Sequence, residues 1–325
     1  MPDQRAADRT AILAVIVLYK QKPSDSVTVT TLARALRAAH SVDCYVLVHD
    51  NSPNATKTLG DGLPKGFRYH PAPKNRGLYA AYEEARLAAR AQGIPGPPGG
   101  YDWLLTLDQD TALPENFFSA IEPGLHAAAQ DRRIAAIVPH LAEGEQLLSP
   151  AYVGLTRTTP MPASFAGVPS REARAFNSAA LLRVQALDAI GGFDPCFWLD
   201  HLDSWLHHQL YVHGWRMYVL DSVHLDHHFS LLNYKERVTL AHYRNFLGAE
   251  SAYFDLYGSW LARLAYSAQL VVRLVNQRRR GEAPDIRRAT RKALWRRLSV
   301  MRKQRIAAWR ASLGGWPGAT PAEKG

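Results

Sequence analysis

Residues 11–18 read AILAVIVL, an apolar run of strand length, the pattern of a strand buried on both faces. After it, apolar positions recur at Val29, Leu32, Ala33 and Leu36, which predicts a helix over residues 27–39. A second buried strand is predicted at 44–48 (CYVLV), closed by the turn residues His49-Asp50-Asn51-Ser52-Pro53. The series continues with a short strand at 67–70, an Ala-rich helix at 78–92, a strand at 103–107 (WLLTL), a helix at 116–129 and a fifth strand at 134–138. Strands alternating with helices predict an α/β fold with a parallel or mostly parallel sheet covered on both faces. Residues 94–100 (IPGPPGG) read as an exposed loop, and 142–172, rich in Pro, Thr and Gly, as a long mobile connection. Regular patterning returns at 176–190 and 215–220, and beyond about Tyr243 the chain reads as wholly helical.

Composition adds one asymmetry. The 325 residues are 47% hydrophobic and carry a formal charge of +10, enough apolar content for a sizeable core. Residues 263–325 hold 16 Lys and Arg against 3 Asp and Glu, a net of +13, which leaves 23 against 26, a net of −3, for residues 1–262. A near-neutral body therefore carries a strongly basic tail, and each needs its own explanation. Cys44 and Cys196 are the only cysteines, too few for a disulfide framework or a thiolate zinc site, and a reducing cytosol is expected. Residues 1–10 are polar and lack a signal-peptide core; 12–18 are too short to span a bilayer, and 260–275 are interrupted by Arg263, Gln269 and Arg273. No internal repeat is visible.

In an open α/β sheet, ligands bind beyond the carboxyl ends of the strands. Tyr19 follows the first predicted strand, Asp50-Asn51-Ser52 the second, Lys74-Asn75-Arg76-Gly77 the third and Asp108-Gln109-Asp110 the fourth. The last is the sharpest of these: two carboxylates at the end of a buried strand suit Mg²⁺ or Mn²⁺, which favour oxygen ligands and share coordination with substrate phosphates. On its own such a triplet is as readily a turn or a cap.

Five segments in order make the pattern specific: AVIVLYK, VHDNS, KNRGL, YDWLLTLDQD and FNSAALLRVQALDAIGGFDPCFWLDHLD, with DSVHLDHHFS as a sixth. Together they resemble the family-2 glycosyltransferases, rhamnosyltransferase-like members in particular, over roughly residues 12–244. The resemblance implies a GT-A fold, Rossmann-like, and transfer of a sugar from a nucleotide-sugar donor, dTDP-rhamnose being the expected one, to an acceptor hydroxyl with inversion. It puts Asp50 at the nucleotide base and Asp108 and Asp110 on a divalent metal and the diphosphate. Tyr19, Lys74, Asn75, Gly77 and Gln109 join the donor site. Lys74 and Arg76 would add positive charge near the phosphates, or are solvated loop cations.

An inverting transfer needs one base to deprotonate the acceptor. In Asp200-His201-Leu202-Asp203 the family's usual position for that base is taken by His201, so the role falls to Asp203 or Asp200, with one of the two expected to cap a helix starting near Ser204. Gly191-Gly192-Phe193-Asp194 is implied as a turn on the acceptor side, and Trp198 and Trp205 suit either sugar rings or core. Of His224, His227 and His228, the resemblance puts His227 near the metal; the other two read as local packing. A zinc hydrolase built on HLDHH lacks a glutamate at the spacing of a general base. Two departures from the family are Glu83, where an Asn is common, and Ser204-Trp205, where an acidic-aromatic pair is usual.

In the tail, Leu294, Trp295, Leu298, Met301, Ile306 and Trp309 fall within about 140° of one helix at about 100° per residue, with Lys292, Arg296, Lys303 and Arg310 opposite and Arg302 and Arg305 inside the apolar arc. Such a helix suits an anionic membrane surface, with arginine stems snorkelling; packing on the body is the alternative, and no nucleic-acid motif accompanies the charge. The expectation is thus a catalytic domain over residues 1–245, with its nucleotide-sugar half at about 1–140 and its acceptor half at about 173–245, and a helical basic region at 246–325. The protein would act on a glycan or lipid-linked glycan at the cytosolic face of the inner membrane, or would be a non-catalytic nucleotide- or membrane-binding module of the same fold.

Overall fold

The structure, a computed structural model, describes residues 9–60, 62–90, 100–226 and 239–313. Its strands are β1 (Thr10–Leu18), β2 (Val42–Asp50), β3 (Phe67–Pro71), β4 (Trp103–Asp108), β5 (Ile134–Glu143), β6 (Gln146–Ser149), β7 (Ala151–Val153), β8 (Thr158–Pro160), β9 (Ala173–Arg174), β10 (Ala180–Arg183) and β11 (Arg216–Asp226). The helices are α1 (Val27–Ala38), α2 (Gly77–Arg90), α3 (Phe117–Ala120), α4 (Glu122–Gln130), α5 (Val184–Ala189), α6 (Leu202–Val212), α7 (Leu240–Tyr257), α8 (Trp260–Arg279), α9 (Pro284–Ser299) and α10 (Arg302–Ser312). The chain divides into two compact units, one of residues 1–152, 160–193 and 206–227, the other of 153–159, 194–205 and 228–325.

The first unit is built on an eight-stranded sheet in the order β11-β5-β10-β4-β1-β2-β3, with β6 added on β5. β1 pairs parallel with β2 and β4, β2 with β3, and β5 with β11, while β10 runs antiparallel between β4 and β5. β1 is buried from Ala11 to Leu18, the burial expected of a strand covered on both faces. Helix α1 covers it with Val29, Leu32 and Ala35, and starts where the Ser26 side chain accepts from the Val29 N–H, an N-cap. The predicted helix at 116–129 is two, α3 and α4, with Pro123 in the first turn of α4, where its missing N–H costs nothing. Gly124 is required in α4: a Cβ there would lie 2.5 Å from Ile137 Cγ2.

The expected loose connection at 142–172 is ordered instead. β5 runs on to Glu143 and turns back through β6, and Ala151 and Tyr152 of β7 pair antiparallel with β9. Strands this short carry too few residues for a period of two to show. Residues 94–99 of the predicted Pro/Gly loop lie outside the described residues.

The second unit is helical, with a core of Tyr243, Leu247, Phe254, Ala262, Tyr266, Leu270 and Ile286. Its charged pairs are internal. Glu250, buried, accepts both Arg273 guanidinium nitrogens at 2.8 Å and the Tyr266 hydroxyl at 2.9 Å. Asp255, 1% exposed, takes Arg305 through both oxygens at 2.8 Å and lies 3.3 Å from Arg297 Nη1.

The single tail helix of the sequence pattern is corrected here. The helix breaks at Val300 and Met301, both extended, and Arg305 fills the break by donating to the carbonyls of Arg297 and Val300, which would otherwise be orphaned at a helix end. Arg305 therefore does not snorkel. Trp309 turns inward as well: its Nε1 donates to the Cys196 carbonyl at 3.0 Å, and its ring leaves no space for a Cβ on Gly248. Trp295, Leu298 and Met301 remain exposed. No helix among the described residues is long and apolar enough to cross a membrane.

Candidate functional site

The order β3-β2-β1-β4 reverses the direction of chain travel between β1 and β4, and a crevice beyond the carboxyl ends at such a switch point is where open α/β sheets bind ligands. The register puts Val17 of β1 opposite Asp108 of β4, so the residues after the two strands emerge together. The Tyr19 N–H donates to Gln109 Oε1 at 2.8 Å, and the Gln109 carbonyl accepts the Ser26 hydroxyl at 2.7 Å. Gln109 thus ties the first strand end to the fourth. Asp108 is half-buried and Asp110 exposed. These two carboxylates supply hard oxygen donors at the open end of a rigid strand, and so fit Mg²⁺ or Mn²⁺. His227, the expected third ligand, lies outside the described residues.

β2 ends at the next strand position. Asp50 is fully buried; its Oδ2 accepts the Tyr69 hydroxyl at 2.6 Å and its Oδ1 the Ser52 N–H at 2.8 Å. Burial, then the bond to that carboxylate, pushes the Tyr69 hydroxyl up. The Ser52 hydroxyl accepts from the Lys20 N–H at 2.7 Å, and Asn51 Nδ2 donates to the Gly77 carbonyl at 3.1 Å. Asn51 thereby joins the β2 end to the start of α2. Asn75 (φ +39°) and Gly77 (φ +73°) occupy left-handed backbone in the KNRGL turn; Asn tolerates this region and Gly is free in it. Lys74 is exposed, whereas Arg76 is engaged with Glu84 Oε1.

The Gly-Gly-Phe turn is held by Glu83, the residue that departs from the family pattern. Its Oε2 accepts the Phe193 N–H at 3.0 Å, and both its oxygens pair with Arg86. Gly192 adopts φ +81°, and a Cβ there would meet the Glu83 carboxylate at 2.7 Å. Arg86 and Arg90 also bind Asp188.

The Asp200–Asp203 segment belongs to the second unit. Asp200 is engaged through both oxygens, with His242 Nε2 at 3.1 Å and with Asn245 Nδ2, and Asn245 in turn accepts the Trp198 indole N–H at 2.9 Å. The Asp200 hydrogen bond holds His242 above the usual imidazole range. Asp203 sits in the first turn of α6, which starts at Leu202, and its Oδ1 accepts the Ser204 N–H at 2.7 Å. Between them His201 is held at φ +63°, a conformation that costs a non-glycine residue about 1–3 kcal/mol and collects at functional sites. Trp205 Nε1 donates to the Tyr257 hydroxyl at 3.1 Å, so its packing role is the observed one. His224 stacks on His140 at 5.0 Å and bonds the Asp221 carbonyl, and His228 lies outside the described residues.

One cluster was not anticipated. His49 and His70 are register partners on β2 and β3, and Glu84 of α2 faces both. Burial pushes His49 down to about 4. The sequence signal was the parallel register: aligning VHDNS with RYHPA sets the two histidines side by side.

No protein-family model matches the sequence, and no curated protein sequence matches it. Among solved structures the chain is similar to GalNAc-T7 with UDP, GalNAc and Mn²⁺, at 12% identity and a TM-score of 0.50, over 76% of this chain and 49% of that one. The chain thus spans about half the length of that protein. It also matches the mannosyltransferase PcManGT from Pyrobaculum calidifontis in complex with GDP-Man and Mn²⁺, at 14% identity and a TM-score of 0.44 over 96% and 77% of the two chains. A third match is residues 1–349 of S. aureus TarS in complex with UDP, at 11% identity and a TM-score of 0.47 over 93% and 92%. The mostly parallel sheet, its flanking helices and the helical C-terminal region constitute a GT-A glycosyltransferase fold.

Proposed function

We propose that the protein is an inverting, metal-dependent glycosyltransferase that moves a sugar from a nucleotide-sugar donor to a glycan or lipid-linked acceptor. The observation that carries this is the polar edge at the β1/β4 switch point: Tyr19 and Gln109 bonded together, Asp108 and Asp110 at the open strand end, and Asp50 and Asn51 at the neighbouring one. Asp108 and Asp110 would hold Mg²⁺ or Mn²⁺, which when bound offsets the charge of a nucleoside diphosphate leaving group. Asp50, which the sequence resemblance puts at the nucleotide base, is buried with both oxygens bonded to Ser52 and Tyr69, so its proposed part is to hold the loop that meets the base.

Asp203 is the proposed base. Asp200 already has both oxygens engaged by His242 and Asn245, whereas Asp203 accepts through Oδ1 alone among the described residues. A carboxylate with an oxygen to spare can take the acceptor proton; Asp200 then positions the segment. The rhamnosyl donor, dTDP-rhamnose, follows from the sequence resemblance. In the second unit, the exposed Trp295, Leu298 and Met301 lie among exposed arginines and lysines, which supports contact with an anionic membrane surface at the cytosolic face.

A thermal-shift and hydrolysis screen of dTDP-, UDP- and GDP-sugars with Mn²⁺ or Mg²⁺ tests the reading. Asp110→Asn is expected to abolish metal-dependent donor binding, and Asp203→Asn to spare binding and stop transfer. Binding without turnover on any acceptor extract would favour the non-catalytic module; silence across the panel would end the proposal.

A further inference from the structure

His49 is fully buried, with the Asn51 side chain as its hydrogen-bonding neighbour, and among the described residues neither ring nitrogen reaches a well-formed hydrogen bond. Buried polar atoms without partners are rare in folded proteins, and an ion is one of the few things that accounts for them. His49 Nδ1 faces Glu84 Oε2 at 3.6 Å, and His70 Nε2 faces that same oxygen at 3.3 Å. One donor atom from each of the three residues lies within 4.8 Å of the others. Tetrahedral zinc with bonds of 2.0–2.1 Å separates its ligands by about 3.3 Å, so two of the three edges stand near their bound length. Arg76 is engaged with the other Glu84 oxygen, the kind of contact that orients a ligating carboxylate. His70 is about half exposed, which leaves a way in for the ion and for a water as the fourth ligand.

The geometry points to a zinc site formed by His49, His70 and Glu84, separate from the Asp108–Asp110 pair. Two imidazoles and one carboxylate select zinc over magnesium or manganese, which favour all-oxygen sets. The site clips together β2, β3 and α2, the elements that carry Asp50, Asn51 and the KNRGL turn. Its role is structural: it fixes the donor-side loops from behind. The inference does not depend on the transferase reading, since it rests on a binding equilibrium.

The test uses the full chain, stripped with a chelator and titrated with Zn²⁺ against a chromophoric competitor, with Co²⁺ as a spectroscopic stand-in. The expected result is one zinc per chain, visible bands of tetrahedral cobalt, and a raised unfolding midpoint on zinc addition. Loss of an outer partner costs about 10–100-fold in affinity, so loss of a ligand in His70→Ala or Glu84→Gln is expected to cost at least that. Both positions are partly exposed, so the variants should fold, with circular dichroism as the check. Asp108→Asn, Asp110→Asn and His227→Ala are expected to keep the zinc. No saturable zinc, an octahedral cobalt spectrum, or wild-type affinity in His70→Ala would overturn the proposal and leave a simple His70–Glu84 ion pair.

Discussion

Asp255 is where the basic tail meets the fold, and removing its carboxylate is the sharpest test of that join. The side chains of Asp255 and Arg297 are 1% and 2% exposed, and Arg305 is 13% exposed. Burial pulls the Arg297 guanidinium below its ordinary range, and Asp255 opposes that pull. Asp255→Ala leaves two guanidinium groups without their counter-ion, one of them almost fully desolvated. Breaking a buried pair from one side costs about 3–5 kcal/mol. At about 1–2 °C per kcal/mol for a chain of this length, the midpoint should fall by roughly 3–10 °C. Urea unfolding followed by tryptophan fluorescence measures the change directly. Replacing the whole triad (Asp255→Leu, Arg297→Met, Arg305→Met) should recover much of the loss, because the desolvation cost disappears with the charges. A loss under about 1 kcal/mol, the worth of an exposed pair, would refute the docking of α9 and α10 on α7 through this carboxylate.

Three further outcomes are expected. Gly192→Ala should cost about 2 kcal/mol or more, combining left-handed backbone strain with a Cβ driven into Glu83, while Gly191→Ala, at φ +86° with nothing within 4 Å, should cost the strain alone; equal losses in urea melts would count against the Glu83 clamp. His207 is fully buried and pushed down to about 3 by burial and then by Arg174. In the folded state it resists protonation, so it should withdraw stability as pH falls from about 6.5 toward 3; the pH slope of the melting midpoint should flatten in His207→Leu, and an unchanged slope would exclude it as the source. Truncation after Ala262 should cost folding of the second unit as well as vesicle binding, because it removes Arg273, Arg297 and Arg305 from Glu250 and Asp255; a soluble, cooperatively melting fragment would refute this.

The sheet strands were legible because burial on both faces writes itself as unbroken apolar runs, as in 11–18 and 103–107. The donor-side candidates were legible for a related reason: in a parallel sheet every strand ends on one edge, so the residues after each run must gather there. Contacts set by register or by distant packing were not. Nothing in RYHPA alone says that His70 lies beside His49, nor that Glu84 faces both. The antiparallel strands from β6 to β9 are too short for alternation to register. Glu83 looked like a departure from a family pattern, and only the structure shows that it takes the Phe193 N–H.

The tail shows most plainly what a helical wheel leaves out. A single wheel runs through Val300, where the chain is extended, so it assigns Ile306 and Trp309 a phase they do not have. Net charge is silent in the same way about pairing: of the cations behind the +13, Arg273, Arg297 and Arg305 serve Glu250 and Asp255 inside the fold. The apolar surface also shifts. On α8, Trp260, Leu261, Leu264, Val271, Val272 and Val275 are all exposed, and they fall within about 120° of one another at about 100° per residue. The opposite side of that helix buries Ala262, Tyr266 and Leu270. A helix with two apolar faces escapes a moment calculation, because the faces cancel. The part of the tail that docks is therefore the part rich in paired arginine, and the part left open is the stripe on α8 together with the exposed Trp295, Leu298 and Met301, the apolar surface available to the proposed membrane contact. Vesicle binding should accordingly be lost more fully in Leu264→Glu with Val271→Glu than in Lys292→Glu with Lys303→Glu, since the latter change only screened surface charge.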